Sequence, residues 1–138
     1  MKGTLYKDCA KKLVFVLTIV VTMAFTSGIL TAADLKDVKK KGVLRHLGIP
    51  YANFVTGAGD GMDIELMNAF AKYIGVRYEY VPTSWNDIFG DLTGEKVKPN
   101  GDDIEVVGQV PVKGDVAAAG ITVLPWRKKV VDFSVPVF

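Results

Sequence analysis

Cysteine is nearly missing from this chain: among 138 residues only Cys9 occurs, close to the start. One cysteine closes no disulfide within its own chain and builds no Cys-based zinc site. Histidine is as scarce, with His46 alone of its kind. No Asp, Glu or Cys stands at ligand spacing from it, so it reads as a strand residue rather than a metal or catalytic group. No Ser/His/Asp set sits at a recognisable elbow. Gly57 and Gly59 begin a dinucleotide fingerprint, but Met62 stands where the third glycine belongs. No metal, cofactor or catalytic set is therefore expected. A strong excess of positive charge is also missing, since 17 Lys and Arg face 15 Asp and Glu. Nothing in that balance points to nucleic acid.

What is present first is one long apolar run. Lys2, Lys7, Lys11 and Lys12 precede residues 13–30, and the small residues of 31–33 follow. This is the layout of a secretory signal over 1–33, cleaved after Ala33. The alternative is a retained membrane anchor, because the run has the length of about 18–20 residues that spans a bilayer. Cys9 lies before the run, where no lipid attachment site belongs. Four of the basic residues and one acidic residue fall in 1–33, which leaves 13 against 14 and a net charge near −1 for 34–138. That remainder is exported, periplasmic or extracellular, and lacks disulfides. Its fold must rest on its core, and its length suits a single domain.

Residues 33–42 predict a short charged helix ending at Gly42, and 43–49 a strand. Residues 50–61 form a loop. The stretch 62–75 predicts an amphipathic helix, with Ile64, Met67, Ala71 and Ile74 on one face, Phe70 beside them, and Glu65, Asn68 and Lys72 opposite. A strand follows over 76–81, then a short helix capped by Ser84. The order β-α-β-α argues for a mostly parallel α/β sheet flanked by helices. Residues 95–114 break that rhythm and read as a hairpin-like insertion. Residues 115–123 predict a buried strand, 125–129 a helical turn opened by Pro125, and 130–138 another strand-like run.

Ligands of such sheets bind beyond the carboxyl ends of the strands. Applied here, the rule brings Tyr51 and Phe54, Trp85, and the Gly120–Thr122–Arg127 stretch to one rim. Arg127 can give a carboxylate two parallel charge-assisted hydrogen bonds. Thr122 and Gly120 offer further donors and close backbone approach. Phe54 and Trp85 can cover an apolar stem or stack on a cationic one. Each residue also has a plainer reading. Arg127 is equally one of three solvated cations in "WRKK", and the aromatics are equally core. Asp60, Asp63 and Glu65 cluster at a helix start, where acids commonly complement the dipole.

Three segments together carry a family resemblance: "GMDIELMNAFAKYI" (61–74), "VPTSWNDIFGDL" (81–92) and "AAGITVLPWRKKVVDFSVPVF" (118–138). The chain resembles the N-terminal lobe of family 3 extracellular solute-binding proteins, the amino-acid receptors of ABC importers. The resemblance implies a periplasmic-binding-protein type II fold without catalysis, with an amino acid or organic acid as ligand and a membrane permease as partner. It implies that Arg127 holds the ligand's α-carboxylate, helped by Thr122 and Gly120, between Trp85 and Phe54. It also implies a second lobe beyond the "DFS" stretch, so that 34–138 reads as a partial, truncated lobe one. The same fold serves periplasmic dehydratases and the regulatory domains of murein transglycosylases, and these stand as alternatives, as does an anchored sensor.

Overall fold

The computed structural model describes residues 34–136. The apolar run, the expected cleavage site and the last two residues fall outside the described residues. The chain opens with helix α1 (Leu35–Lys41) and strand β1 (Val43–Gly48). Helix α2 (Met62–Ile74) and strand β2 (Arg77–Pro82) follow, then the short helix α3 (Ile88–Thr93). A hairpin of β3 (Glu95–Asn100) and β4 (Asp103–Gln109) precedes β5 (Val116–Ala117) and the one-turn α4 (Pro125–Lys128). β1 lies between β2 and β5 and is parallel to both. Among the described residues no helix is long and apolar enough to cross a membrane.

β1 buries side chains on both of its faces, as a central parallel strand does. Leu47 and Ile49 pack with Val55, Ile64, Ile88, Phe89 and Ala119, while Leu44 packs with Val38 and Ala71. Two polar links fasten β1 to its neighbours. The Arg45 guanidinium donates from Nε (3.0 Å) and Nη2 (2.7 Å) to the Asp115 carboxylate, just before β5. Burial pushes the Asp115 carboxyl up, but the hydrogen bonds and charge of Arg45 outweigh it and hold the group below the usual range. His46 is fully buried. Its Nε2–H donates to the Ala118 carbonyl at 2.7 Å, which leaves Nδ1 to accept from the Tyr78 hydroxyl at 2.9 Å. It is the strand residue that its solitude in the sequence suggested.

The helices and first two strands fall where periodicity places them, and four local readings change. The strand expected over 115–123 is two residues long, because Gly120 adopts φ 65° and turns the chain out of the sheet. The strand-like run after 130 has no strand beside it among the described residues, and 131–136 lies as irregular chain with Val135 83% exposed. A strand needs a ladder as well as apolar residues. Ser84 does not cap α3: its hydroxyl donates to the Asp87 carboxylate at 2.7 Å, and the helix begins at Ile88. Phe70, read as lying beside the buried face of α2, is 37% exposed.

Candidate functional site

Because β1, β2 and β5 run parallel, their carboxyl ends open on one edge of the sheet. Beyond β1 the chain makes a tight turn in which the Tyr51 N–H donates to Val55 O (2.9 Å) and the Phe54 N–H to Tyr51 O (3.1 Å). The start of α2 holds that turn. The amides of Met62 and Asp63, which have no partner inside the helix, donate to Asn53 O (2.9 Å) and Phe54 O (3.0 Å). Gly61 makes this approach possible, since it adopts φ 129° and any Cβ there would collide with the Phe54 carbonyl.

The turn presents Tyr51 and Phe54 as stacked rings, with centroids 5.9 Å apart and planes at 6°. Trp85, from the segment after β2, stands edge-on to Tyr51 at 5.6 Å and 87°. Tyr51 is 49% and Trp85 43% exposed, so the two form a surface wall and not core. Gly120, beyond β5, completes the group: a Cβ there would lie 2.7 Å from the Phe54 ring. Four of the six residues singled out in the sequence therefore meet.

Thr122 and Arg127 form a second group two residues further along. Arg127 Nη1 donates to the Thr122 carbonyl at 2.7 Å. Thr122 thus acts here through its backbone. The guanidinium carbon lies 5.5 Å from the centre of the Phe89 ring and 5.2 Å from that of Trp126. Those two rings are themselves edge-to-face at 5.3 Å. Burial lowers the Arg127 pKa from its ordinary value, though a guanidinium stays charged. Among the described residues no carboxylate pairs with it, and its buried Nε–H has no acceptor.

Asp63 was missed. Its acidity at a helix start already had a reason in the dipole, but the side chain is buried and Oδ2 accepts the Gly120 N–H at 2.7 Å. The signal was its spacing: Asp63 leads Met67 and Ile74 at i+4 and i+11, on the edge of the inward face. It pins the ligand-edge loop to α2. Phe89 and Trp126 were not assigned as partners of Arg127 either. A cavity of about 220 Å³ at the base of the hairpin involves none of these rim residues. Its charges are paired off, Lys96 with Asp87 at 3.6 Å and Lys113 with Asp91 at 2.9 Å. Among the described residues no His, Cys, Asp and Glu group could hold a metal ion.

A parallel sheet with flanking helices and a rim at its carboxyl edge defines the class: a partial lobe of the type II periplasmic-binding-protein fold. The solved structures agree. An ancestral cyclohexadienyl dehydratase matches with a TM-score of 0.58 and 31% identity, over 78% of this chain and 40% of that one. An ancestral cationic amino acid solute binding protein matches with a TM-score of 0.56 and 35% identity, over 74% of this chain and 39% of that one. Residues 48–100 match the family described as bacterial extracellular solute-binding proteins, family 3. A protein of Neisseria gonorrhoeae named "Probable histidine-binding protein" is 32% identical over 82 residues, 59% of this chain and 24% of its own length. "Membrane-bound lytic murein transglycosylase F" of Serratia proteamaculans (strain 568) is 40% identical over 63 residues, 43% of this chain and 13% of its own length. The matched region is thus a small part of each curated relative.

Proposed function

We propose that the described residues form the ligand-binding lobe of an exported receptor for amino acids or similar small polar solutes, which hands them to an ABC permease. The observation that carries this is Arg127. Its guanidinium is held by the Thr122 carbonyl and two rings, yet it has no carboxylate partner among the described residues, and one buried N–H is left over. A buried donor without an acceptor is costly. A ligand α-carboxylate supplies the acceptor and the missing charge at once. Gly120 lets the Phe54 ring sit against the backbone, and Tyr51, Phe54 and Trp85 stand ready for the ligand's stem. Two of the similar proteins are named for histidine and for cationic amino acids. A cationic stem suits an aromatic wall, so basic amino acids are the first to test.

Titration of the full chain with arginine, lysine and histidine, followed by NMR, tests the proposal. A single rim grips one end of the ligand, so the expected affinity is weak, around 1 mM, or about −4 kcal/mol. Arg127→Ala removes a charge-assisted pair and should weaken binding about tenfold or more. Unchanged affinity in that variant returns Arg127 to the role of a solvated cation. A second reading rests on the transglycosylase and dehydratase similarities: a regulatory domain or an enzyme built on the same lobe. Turnover of a cyclohexadienyl substrate by the full chain would favour the enzyme.

A further inference from the structure

The turn after β5 is gripped from two sides within three residues. From β1, the His46 Nε2–H donates to the Ala118 carbonyl at 2.7 Å. From α2, the Asp63 carboxylate accepts the Gly120 N–H at 2.7 Å. Both side chains are buried, His46 completely. Imidazole is the side chain whose charge ordinarily changes between about pH 5 and pH 8. One of the two grips on the rim therefore comes from a group that can gain a proton near neutral pH.

A neutral His46 fits its surroundings and a charged one does not. Its Nδ1 accepts from the Tyr78 hydroxyl at 2.9 Å, so a proton added there points at the oxygen that now supplies one. Tyr78 must then turn its hydroxyl, which has no other printed-length partner than His46 among the described residues. The titratable and charged groups that face His46 are Tyr78 and Tyr80 from β2 and Asp63 from α2. The turn after β5 faces it with the Ala118 carbonyl. Arg45 and Asp115 pair with each other on the opposite face of β1. Asp63 is thus the one carboxylate on His46's side. Burial lowers the His46 pKa, while the Ala118 carbonyl and the Asp63 charge raise it.

We infer that this turn is a proton-operated catch: when His46 takes a second proton, Asp63 leaves the Gly120 N–H for the imidazolium, and the rim loop comes free of α2. A buried cation without an anion is costly, and Asp63 is the anion at hand. Its Oδ2 is already committed to Gly120. The two demands compete for one side chain, and the charged one is the stronger. The gripped turn suits neutral His46 and the released turn suits the imidazolium, so acid moves the population toward release. The Phe54 ring, seated against the bare α-carbon of Gly120, loses its backstop in the same step. On the proposed function, the consequence is a receptor that lets its solute go in acid.

The test is an NMR pH titration of the full chain, in which the ring signals of the single histidine are unambiguous. From neutral pH toward about pH 5, the Gly120 amide should shift and lose about fivefold or more of its exchange protection. Its midpoint should equal that of the His46 ring, while the amides of β1 stay protected. His46→Gln remains neutral and keeps a donor for Ala118, so it should abolish the Gly120 response. Asp63→Asn keeps an acceptor for Gly120 but no charge for His46, so it should lower the ring's midpoint. A Gly120 amide that stays fixed while His46 titrates overturns the inference. So does a ring that never titrates before the chain unfolds, a response that survives His46→Gln, an unmoved midpoint in Asp63→Asn, or equal loss of protection in β1. If neither variant folds, agreement of the two midpoints in the unsubstituted chain decides. Arginine affinity should fall over the same interval. That arm alone rests on the proposed function: a turn that releases with no change in arginine binding supports the catch and counts against the receptor reading.

Discussion

Gly120 is the residue at which sheet becomes rim. Its left-handed φ of 65° ends β5, its N–H is taken by Asp63, and its bare α-carbon lies against the Phe54 ring. An alanine there meets both objections at once, an unfavourable backbone region and a methyl group inside ring-contact distance. Gly120→Ala should destabilise the chain by about 1–3 kcal/mol in urea unfolding and shift the Phe54 ring resonances. An unchanged ring would show that the loop moves instead. Arg127 was legible as a candidate from its place after an apolar run, and its alternatives were narrowed only by partners that are remote in sequence. Phe89 lies 38 positions upstream and no periodicity links the two. Asp63 was hidden for a different reason, since a local cause already accounted for it.

The elements that carried a clear period were readable: α2, β1 and β2 fall where spacing puts them. The elements that depend on a neighbour were not. The run after 130 has strand composition and no ladder, and β5 stops at a backbone conformation that composition does not announce. The three-strand sheet also has a titratable group in its middle. Burial holds the His46 pKa below its ordinary value, with the Ala118 carbonyl and the Asp63 charge opposing. Tyr78 faces it from β2 with its own pKa pushed up to about 12 by burial, and Tyr80 lies edge-on. A depressed folded pKa means that the unfolded chain binds the proton first. The stability tied to neutral His46 is present above about pH 6.5, the unfolded value, and is lost as pH falls through the folded one. Melting temperature should therefore drop on going from neutral pH toward pH 5, and His46→Gln should flatten that slope. An equal slope in the variant would assign the acid sensitivity to other groups.

At the scale of the whole molecule, order is concentrated around β1. It is hydrogen-bonded on both edges, packed on both faces and clamped by Arg45–Asp115. The hairpin is mostly exposed, and 131–136 has no ladder, with only Val131 and Phe133 half-buried. Amide exchange should follow that gradient: slowest in β1, faster in β3 and β4, fastest over 131–136. Protection over 131–136 equal to that of β1 would show a strand paired there in solution. The class of fold was legible in the alternation of elements, and the rim in the rule that sites sit at carboxyl edges. The exposure of Met62, Leu66 and Tyr73 on α2 was not, because a helical period reports which residues share a face and not which face a neighbour covers.

The bond from Asp63 to Gly120 also divides the rim for anyone who would redesign it. Up to Gly120 the loop is fixed twice, by the sheet and by a buried carboxylate on a thirteen-residue helix. Past it, the ties among the described residues are those of Arg127 to the Thr122 carbonyl and, further on, of Lys129 to Asp103 at 3.1 Å. On the proposed function, changes of ligand preference are therefore best sought at Val123 and Leu124, ahead of Pro125 and of Trp126, whose ring packs on Phe89 and Arg127. A library confined to 117–120 would spend its variation on the scaffold.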